Sequence, residues 1–437
     1  MLVLAGEELP VAFDFATWTR LIPESEIRRL LRVKVRYYFA GGKPGVLPTG
    51  VFPRLLVELG LEEMDLLLRG EEKEIIEHFN YGPSEGLPEL RKLLARKMLR
   101  ARDGLEIDPE EGWRDVIITT GSQQALYAIL DSLIDPGDVI ITQRPAYLGF
   151  VNVAAKFQAK IVTVPADADG LVPEYVEAAI RLSERELGSR PKLIYLVPDS
   201  DNPTGTTMPE GRRKEFFDLA ASVGTFILED AAYREIQFRG EPHRPIKYYD
   251  KNNEYVIYQR STSKEVAVFR VGYGYMPPKL KEQVVKAKGY MDLCTPTLMQ
   301  KLALMYYEKY FDEHILRVRE GYRERCEAME ESIDESFPPG HRTTPTGGFF
   351  IWWSSEERGF DSDRFLNEVA LKNDVSYVPG SAFYPPFGYS YEPETNSLEP
   401  LRPRKHGMRL GYSYLTPQEI RQGITKLGRL LASHLSR

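Results

Sequence analysis

Cysteine is nearly absent from this 437-residue chain: Cys294 and Cys326 are the only two. They stand in no metal-ligand spacing, so no metal site is expected from them. Both are read as reduced thiols of a cytosolic protein and not as a redox pair. Cations are not in excess. The formal net charge is -7, whereas a nucleic-acid binder needs clustered Lys and Arg opposite phosphates. No apolar run approaches the length of a membrane-spanning helix. The opening MLVLAGEELP has no basic leader and turns acidic at Glu7 and Glu8, so no secretory signal is expected and the predicted location is the cytoplasm. What is there is 42% hydrophobic and 28% charged, with 34 Gly and 31 Pro spread along the chain. That is the makeup of an ordinary globular protein, long enough for two unequal lobes.

From about residue 87 onward, helical and strand patterns alternate. LPELRKLLARKMLR has helical apolar spacing. Short β-branched runs recur at 116–120, 139–142, 160–164, 192–197, 225–230 and 255–260. Stretches with helical spacing, such as SQQALYAILDSLI and PEGRRKEFFDLAASVG, separate most of them. Nearly all-apolar strands between helices predict an α/β fold with a mostly parallel sheet covered on both faces. Ligands of such sheets bind beyond the carboxyl ends of the strands, so site residues should fall just after them.

Residues 14–35 predict an N-terminal arm with a short helix starting near Ser25 and Glu26. The Gly/Pro-rich run from Ala40 to Pro53 predicts a loop or extended crossing. Beyond residue 297 the pattern changes to a helical stretch (299–334), TPTGGFFIWW, a helix near 362–373, VSYVP, MRLGYSY and a closing helix. This predicts a smaller α+β lobe with the arm against it. Residues 379–405, rich in Pro, Tyr and Gly, are expected to be a loop near the site mouth. The expected division is an arm and covering loop (1–55), a large lobe (56–297) and a small lobe (298–437).

Five segments carry candidate chemistry, each open to a plainer reading. In YQRSTSKEVAVFR a strand runs into Ser261, Ser263 and Lys264, with Arg270 six residues on. A lysine so placed can form an imine if it can lose its proton, and the serines and arginine can bind a dianionic phosphate; most lysines merely carry surface charge. In TFILEDAAY, Asp230 ends an apolar strand, where a carboxylate is costly unless paired. It could hold a pyridinium N–H, with the Tyr233 hydroxyl nearby, or simply cap the next helix. Asn202 in DNPTG could donate to an anionic oxygen or serve a turn. Gly121, Ser122 and Gln123 open a helix directly after a strand, which makes an anion site or an ordinary cap. Arg409, in the apolar strand MRLGYSY, could grip a carboxylate in two-pronged fashion or sit in an internal salt bridge.

Taken together, GSQQAL, PAY, DNPTG, EDAAY, STSK followed by Arg, GGFFIW and RLGYS occur in one order along nearly the whole chain. That order resembles the fold-type I pyridoxal 5′-phosphate (PLP) aminotransferases, within them the branch of 2-aminoadipate, kynurenine and aromatic aminotransferases. YYFAGGKPG and YGPSEGLPELR suit the same branch. The resemblance implies a large PLP-binding domain and a smaller α+β domain. It implies Lys264 as the Schiff-base lysine and proton shuttle, Asp230 at the pyridine nitrogen, and Asn202 and Tyr233 at the phenolate. It further implies Tyr147 stacked on the ring, or else a core tyrosine, and Gly121, Ser122, Gln123, Ser261, Ser263 and Arg270 around the phosphate. Arg409 is implied at the substrate carboxylate, with Gly41 and Gly42 over the substrate. Tyr81 is implied to reach the partner subunit's cofactor in a homodimer, against the alternative of a turn tyrosine packed on its own chain. Many relatives have a Pro-Gly-Leu-Arg run before the phosphate arginine; here Glu265-Val266-Ala267-Val268-Phe269 precedes Arg270, one residue shorter.

The expected reaction is ping-pong transamination between an amino acid and a 2-oxo acid such as 2-oxoglutarate, with no metal, membrane or nucleic acid involved. A cysteine-conjugate β-lyase would use the same lysine and aspartate. A non-catalytic PLP-binding regulator is the reading from another class, and the short acidic arm leaves no room for the DNA-binding module expected of one. Tyr38, Phe383 and Tyr384, with Trp352 and Trp353 close in sequence, lean toward large or aromatic side chains.

Overall fold

The computed structural model describes residues 15–45, 50–357 and 359–436, and the backbone of 3–4 and 7–8. The side chains of the opening residues, read above for a leader, lie outside the described residues. The six apolar runs are strands: Val116–Thr119, Val139–Arg144, Lys160–Asp167, Leu193–Leu196, Phe226–Asp230 and Val256–Ser261. Five of them pair in parallel. Val139–Arg144 lies between Lys160–Asp167 and Leu193–Leu196, and Phe226–Asp230 between Leu193–Leu196 and Val256–Ser261. Gly272–Tyr275 turns back antiparallel and carries Val116–Thr119 at the edge.

The apolar character of both strand faces has a direct outcome. Ile140, Ile161, Leu193, Tyr195 and Ile257 point into one buried cluster. Their neighbours Val139, Ile141, Val162, Ile194 and Val256 point into another, against helices Pro173–Leu182 and Glu210–Val223. Successive side chains alternate faces, so a sheet covered on both sides needs apolar residues at both. Each fully buried Val, Leu or Ile contributes about 1.5–3 kcal/mol relative to exposure.

A second sheet, antiparallel throughout, is built in the order Gly340–Arg342, Phe350–Ser355, Gly407–Gly411, Val378–Pro379. Helices Phe311–Ser336 and Pro417–Leu435 pack on each other beside it. The last helix opens with a capping box of Thr416 and Glu419. The arm joins here: Tyr37–Tyr38 pairs in parallel with Val375–Ser376, and Gly411 N–H donates to the Phe39 carbonyl.

Three expectations are corrected. The Ala40–Pro53 run is not loop to its end, because helix Val51–Arg69 begins inside it. Pro53 falls in the first turn, where its missing N–H is not needed; residues 46–49 lie outside the described residues. The 379–405 stretch is not one loop. Tyr389–Glu392 and Ser397–Pro400 form a hairpin that adds to the large sheet beside Lys160–Asp167, covering backbone groups that would otherwise be an open edge. The 299–334 helix is broken at Tyr310 into Thr297–Lys309 and Phe311–Ser336.

Candidate active site

The loops leaving the carboxyl ends of the parallel strands converge on Lys264. After Val256–Ser261 the chain turns tightly: Val266 N–H donates to the Thr262 carbonyl, and the Thr262 hydroxyl donates to the Val271 carbonyl at 2.8 Å. This turn puts the Lys264 Nζ 4.8 Å from the centre of the Tyr233 ring and 5.4 Å from that of Phe349. Burial disfavours its charged form and lowers its pKa to about 8, against the opposing pull of Asp230.

The shortened Lys264–Arg270 segment closes as a 3-10 turn, Ala267–Phe269, and Arg270 takes a left-handed backbone at φ 49°. From there its guanidinium donates to the Ser263 hydroxyl at 3.0 Å and lies against Gly121. Gly121 has φ +74°, and a Cβ on it would sit 2.5 Å from Arg270 Nη2. The backbone conformation is what requires glycine here, and the missing side chain leaves the guanidinium room to lie against it. Helix Ser122–Leu133 starts at this point without a side-chain cap, which leaves its first N–H groups for an anion. Ser261 accepts from Ser263 N–H at 3.1 Å.

Asp230 is 4% exposed. It accepts from the Tyr195 hydroxyl at 2.9 Å and from Ala232 N–H at 3.3 Å. Burial raises its pKa, while Tyr195 and Lys264 pull it down. It caps no α-helix; a short 3-10 turn, Arg234–Ile236, follows it. Tyr147 is half-buried, its hydroxyl donating to Gln123 Oε1 at 3.1 Å, and burial pushes its phenol up to about 12.

On the opposite wall stands Arg409, 1% exposed, in the central strand of the small sheet across from Trp352 and Val378. Its Nη1 donates to Asn202 Oδ1 at 2.8 Å and its Nη2 to the Ala40 carbonyl at 2.9 Å, while its buried Nε has no partner. Among the described residues no carboxylate pairs with it. Burial lowers its pKa to about 10. Asn202 is free to face it because Asp201 serves the turn, accepting from Thr204 N–H and hydroxyl. The other end of Asn202 donates to the Tyr233 hydroxyl at 3.4 Å. Gly41 packs against Tyr38 and Gly42 against Phe350. Tyr38 has a buried hydroxyl without a partner.

Lys264, Asp230, Tyr233, Asn202, Arg409, Tyr147, Gln123, Ser263 and Arg270 are thus brought together. Tyr81 is not: it is 80% exposed, packed neither into this site nor onto its own chain. Trp353 is buried against Phe337 and Phe360 instead of lining the pocket, whereas Trp352 meets Phe383, which lies 5.0 Å from Arg409. Sequence reading missed Tyr195, whose bond to Asp230 comes from the neighbouring strand, and the wall made by Phe349 and Phe350. The GGFFIW run signalled only the latter. It also missed the buried Asp103, Arg234 and Arg260, which lie below the site.

The residues fit the phosphate cofactor that the resemblance implies. An anion cradle lies at Gly121, Ser263 and Arg270, a buried carboxylate can take a ring N–H, and an amine of lowered pKa stands beside aromatic rings. Among the described residues no group of three or more His, Cys, Asp and Glu is disposed to hold a metal, and no helix is long and apolar enough to cross a membrane.

The family described as aminotransferase class I and II matches residues 65–386. Aromatic-amino-acid aminotransferase 1 of Thermococcus litoralis is 34% identical over 420 residues, 94% of this chain and 93% of that protein. The 2-aminoadipate transaminase of Thermus thermophilus is 32% identical over 423 residues, 95% of this chain and 96% of that protein. Among solved structures, Pyrococcus horikoshii kynurenine aminotransferase in complex with PMP superposes with a TM-score of 0.83 at 30% identity, covering 96% of this chain and 97% of that one.

Proposed function

This chain belongs to the class I and II aminotransferase family, and from that premise we propose how its own residues carry out PLP-dependent transamination. The proposed donor is an amino acid with a large, aromatic or 2-aminoadipate-like side chain, and the acceptor a 2-oxo acid such as 2-oxoglutarate. The two half-reactions alternate in ping-pong order.

The observation that carries the reading is a fully buried guanidinium, Arg409, paired with no carboxylate among the described residues and near enough to Lys264 to oppose the charge of that amine, whose pKa is lowered. An unpaired buried cation is costly. A substrate α-carboxylate gripped by Arg409, with Asn202 beside it, relieves that cost and aims the substrate's α-carbon toward Lys264.

Lys264 would hold the cofactor, and its Nζ would take up and return the substrate's α-proton. Bound here, the cofactor's protonated ring supplies an electron sink for the α-carbon. Asp230, steadied by Tyr195, holds the proton at the ring nitrogen. Tyr233 and Asn202 hold the phenolate oxygen, and Tyr147 lies against the ring face. Gly121, Ser122, Gln123, Ser261, Ser263 and Arg270 bind the phosphate. Tyr38 and the Gly41–Gly42 backbone cover the substrate and exclude water.

The assembly we propose is a homodimer in the cytoplasm. Helix Val51–Arg69 supports it by presenting Val57, Leu61, Met64 and Leu68 to solvent, an apolar stripe at helical spacing, with exposed Tyr81 beyond it. Cys294 and Cys326 are unbridged, which fits a reducing compartment. The lobes divide as an arm (1–55), a large domain (56–297) and a small domain (298–437), the 389–400 hairpin reaching back to the large sheet.

The test is the absorbance spectrum of the purified protein before and after a panel of amino acids. Conversion of the cofactor band by glutamate or an aromatic donor, reversed by a 2-oxo acid, is expected. Absence of any such band after incubation with PLP overturns the reading.

A further inference from the structure

Beneath the site, away from every side chain assigned above, runs a buried ladder of ion pairs. Its centre is Asp103, 3% exposed, just past the helical run Pro88–Arg102. One carboxylate oxygen accepts from Arg234 Nε at 2.6 Å. The other accepts from Arg260 Nη1 at 2.6 Å and from the Tyr258 hydroxyl at 3.0 Å. Outward from these, Arg234 Nη1 reaches Asp199 at 3.3 Å, and Asp199 accepts from Arg213 at 2.7 Å. On the other side Arg260 pairs with Glu235, which Arg102 joins at 2.8 Å. Asp199, Arg213, Arg234, Glu235 and Arg260 are each 4% exposed or less.

Burying ion pairs gains little over apolar packing of the same volume, so stability alone does not explain the ladder. Its placement does. Arg234 follows Tyr233 directly, Arg260 precedes Ser261 directly, and Asp199 stands three residues before Asn202. Three site-bearing loops are therefore tied, through two arginines, to one carboxylate outside all of them. Arg260 lies in strand Val256–Ser261 and Arg234 in the 3-10 turn that follows the adjacent parallel strand Phe226–Asp230, the two strands being registered with Gln259 opposite Asp230. Arg260 and Lys264 share one strand-to-turn segment.

We propose that Asp103 is a positioning residue for transamination. By clamping Arg234 and Arg260 it holds Tyr233 and Lys264 at their spacing, with Lys264 Nζ 4.8 Å from the tyrosine ring centre. The inference rests on the reading of Lys264 as the reactive amine. Reacting groups displaced by about 1 Å lose on the order of 100-fold in rate, which is the scale such a clamp protects.

Asp103→Asn keeps the side-chain shape and removes the charge. In the holoenzyme kcat falls about 10- to 100-fold, while the amino-acid KM, set at Arg409, stays within about twofold. A second readout lies outside turnover: the midpoint pH of Lys264 acylation in the cofactor-free protein, located by peptide mass. The titratable groups facing that amine are Asp230, Arg270, Arg409 and Glu265, whose carboxyl burial pushes up to about 8. None of them is altered, yet uncompensated guanidinium charge moves the midpoint down by about half a unit or more.

Asp250→Asn is the comparison. It breaks the buried Lys247–Asp250 pair at 2.8 Å, lowers stability, and leaves both readouts at wild type. Should Asp103→Asn not fold, Arg234→Lys carries the test: charge is kept and the Nε clamp lost, so kcat falls with the midpoint unmoved. Wild-type kcat and midpoint in Asp103→Asn, wild-type kcat in Arg234→Lys, or equal losses in Asp250→Asn each overturn the proposal. A wild-type protein that binds no PLP and transfers no amino group overturns the functional reading instead, before any variant is made.

Discussion

Arg409 Nη1 donates to Asn202 Oδ1 at 2.8 Å, a single bond between the central strand of the small sheet and the loop after Leu193–Leu196 of the large one. In the proposed reading, substrate recognition is thereby shared between the two sheets. Arg409→Lys keeps a charge but loses the planar fork. A lost hydrogen bond to a charged group costs about 1.5–3 kcal/mol, so the amino-acid KM rises about 10- to 100-fold. Steady-state kinetics check this, and an unchanged KM places the carboxylate elsewhere.

Replacement of Lys264 by Ala is expected to abolish the cofactor's protein-bound absorbance band and reduce turnover by at least about 100- to 10,000-fold, the usual worth of a positioned acid–base group. A Lys264→Ala protein that still turns over substrate assigns the chemistry to another residue.

The lowered pKa of Lys264, about 8, is a cation disfavoured by burial. Below that pH the amine is protonated and cannot attack an aldehyde; above it the free amine dominates. Recapture of PLP by the cofactor-free protein should therefore accelerate with pH up to about 8 and then level off. A plateau reached only near 10.5 would mean that burial does not depress the group.

Asp199 and Glu235 are held down at about 2 by Arg213 with Arg234 and by Arg260 with Arg102, respectively, each overcoming the opposing cost of burial. A depressed carboxylate stabilises the fold above its unfolded pKa, and that contribution is lost as pH falls through the folded value. From the ordinary values of 3.8 and 4.5, the melting temperature should drop steeply between about pH 4 and 2. Asp199→Asn should flatten that slope while lowering stability at neutral pH. Asp201 and Glu229 act oppositely: burial raises both to about 7, so their share of stability is lost as pH rises toward and through that value.

Leu61 and Met64 are 65% and 52% exposed on the outer stripe of helix Val51–Arg69. Leu61→Glu with Met64→Glu should convert a dimer to monomer in light scattering, with the cofactor band retained. A doubly substituted protein that remains dimeric removes this helix from the interface.

Much of this protein was legible in one dimension because its signals are local. The six apolar runs are strands because β-branched side chains repeat within a few residues. Lys264, Asp230 and Asn202 stand out as candidates because they end or follow those strands, and a parallel sheet presents such positions at one edge. The 389–400 hairpin escaped because Tyr389 and Ser390 acquire their pairing from Val162 and Thr163, more than two hundred residues away. Each of the five motifs is ambiguous alone; their order along the chain carries the resemblance, and the tertiary structure adds what surrounds each of them. It leaves Ser122 without a cap role, gives the turn to Asp201 and not Asn202, and leaves Arg409 without a carboxylate among the described residues. The same holds for Tyr195 beneath Asp230 and for the Asp103 ladder. Strand propensity and turn chemistry are written in neighbouring residues, whereas the cost of burying a charge depends on what the rest of the chain brings to it.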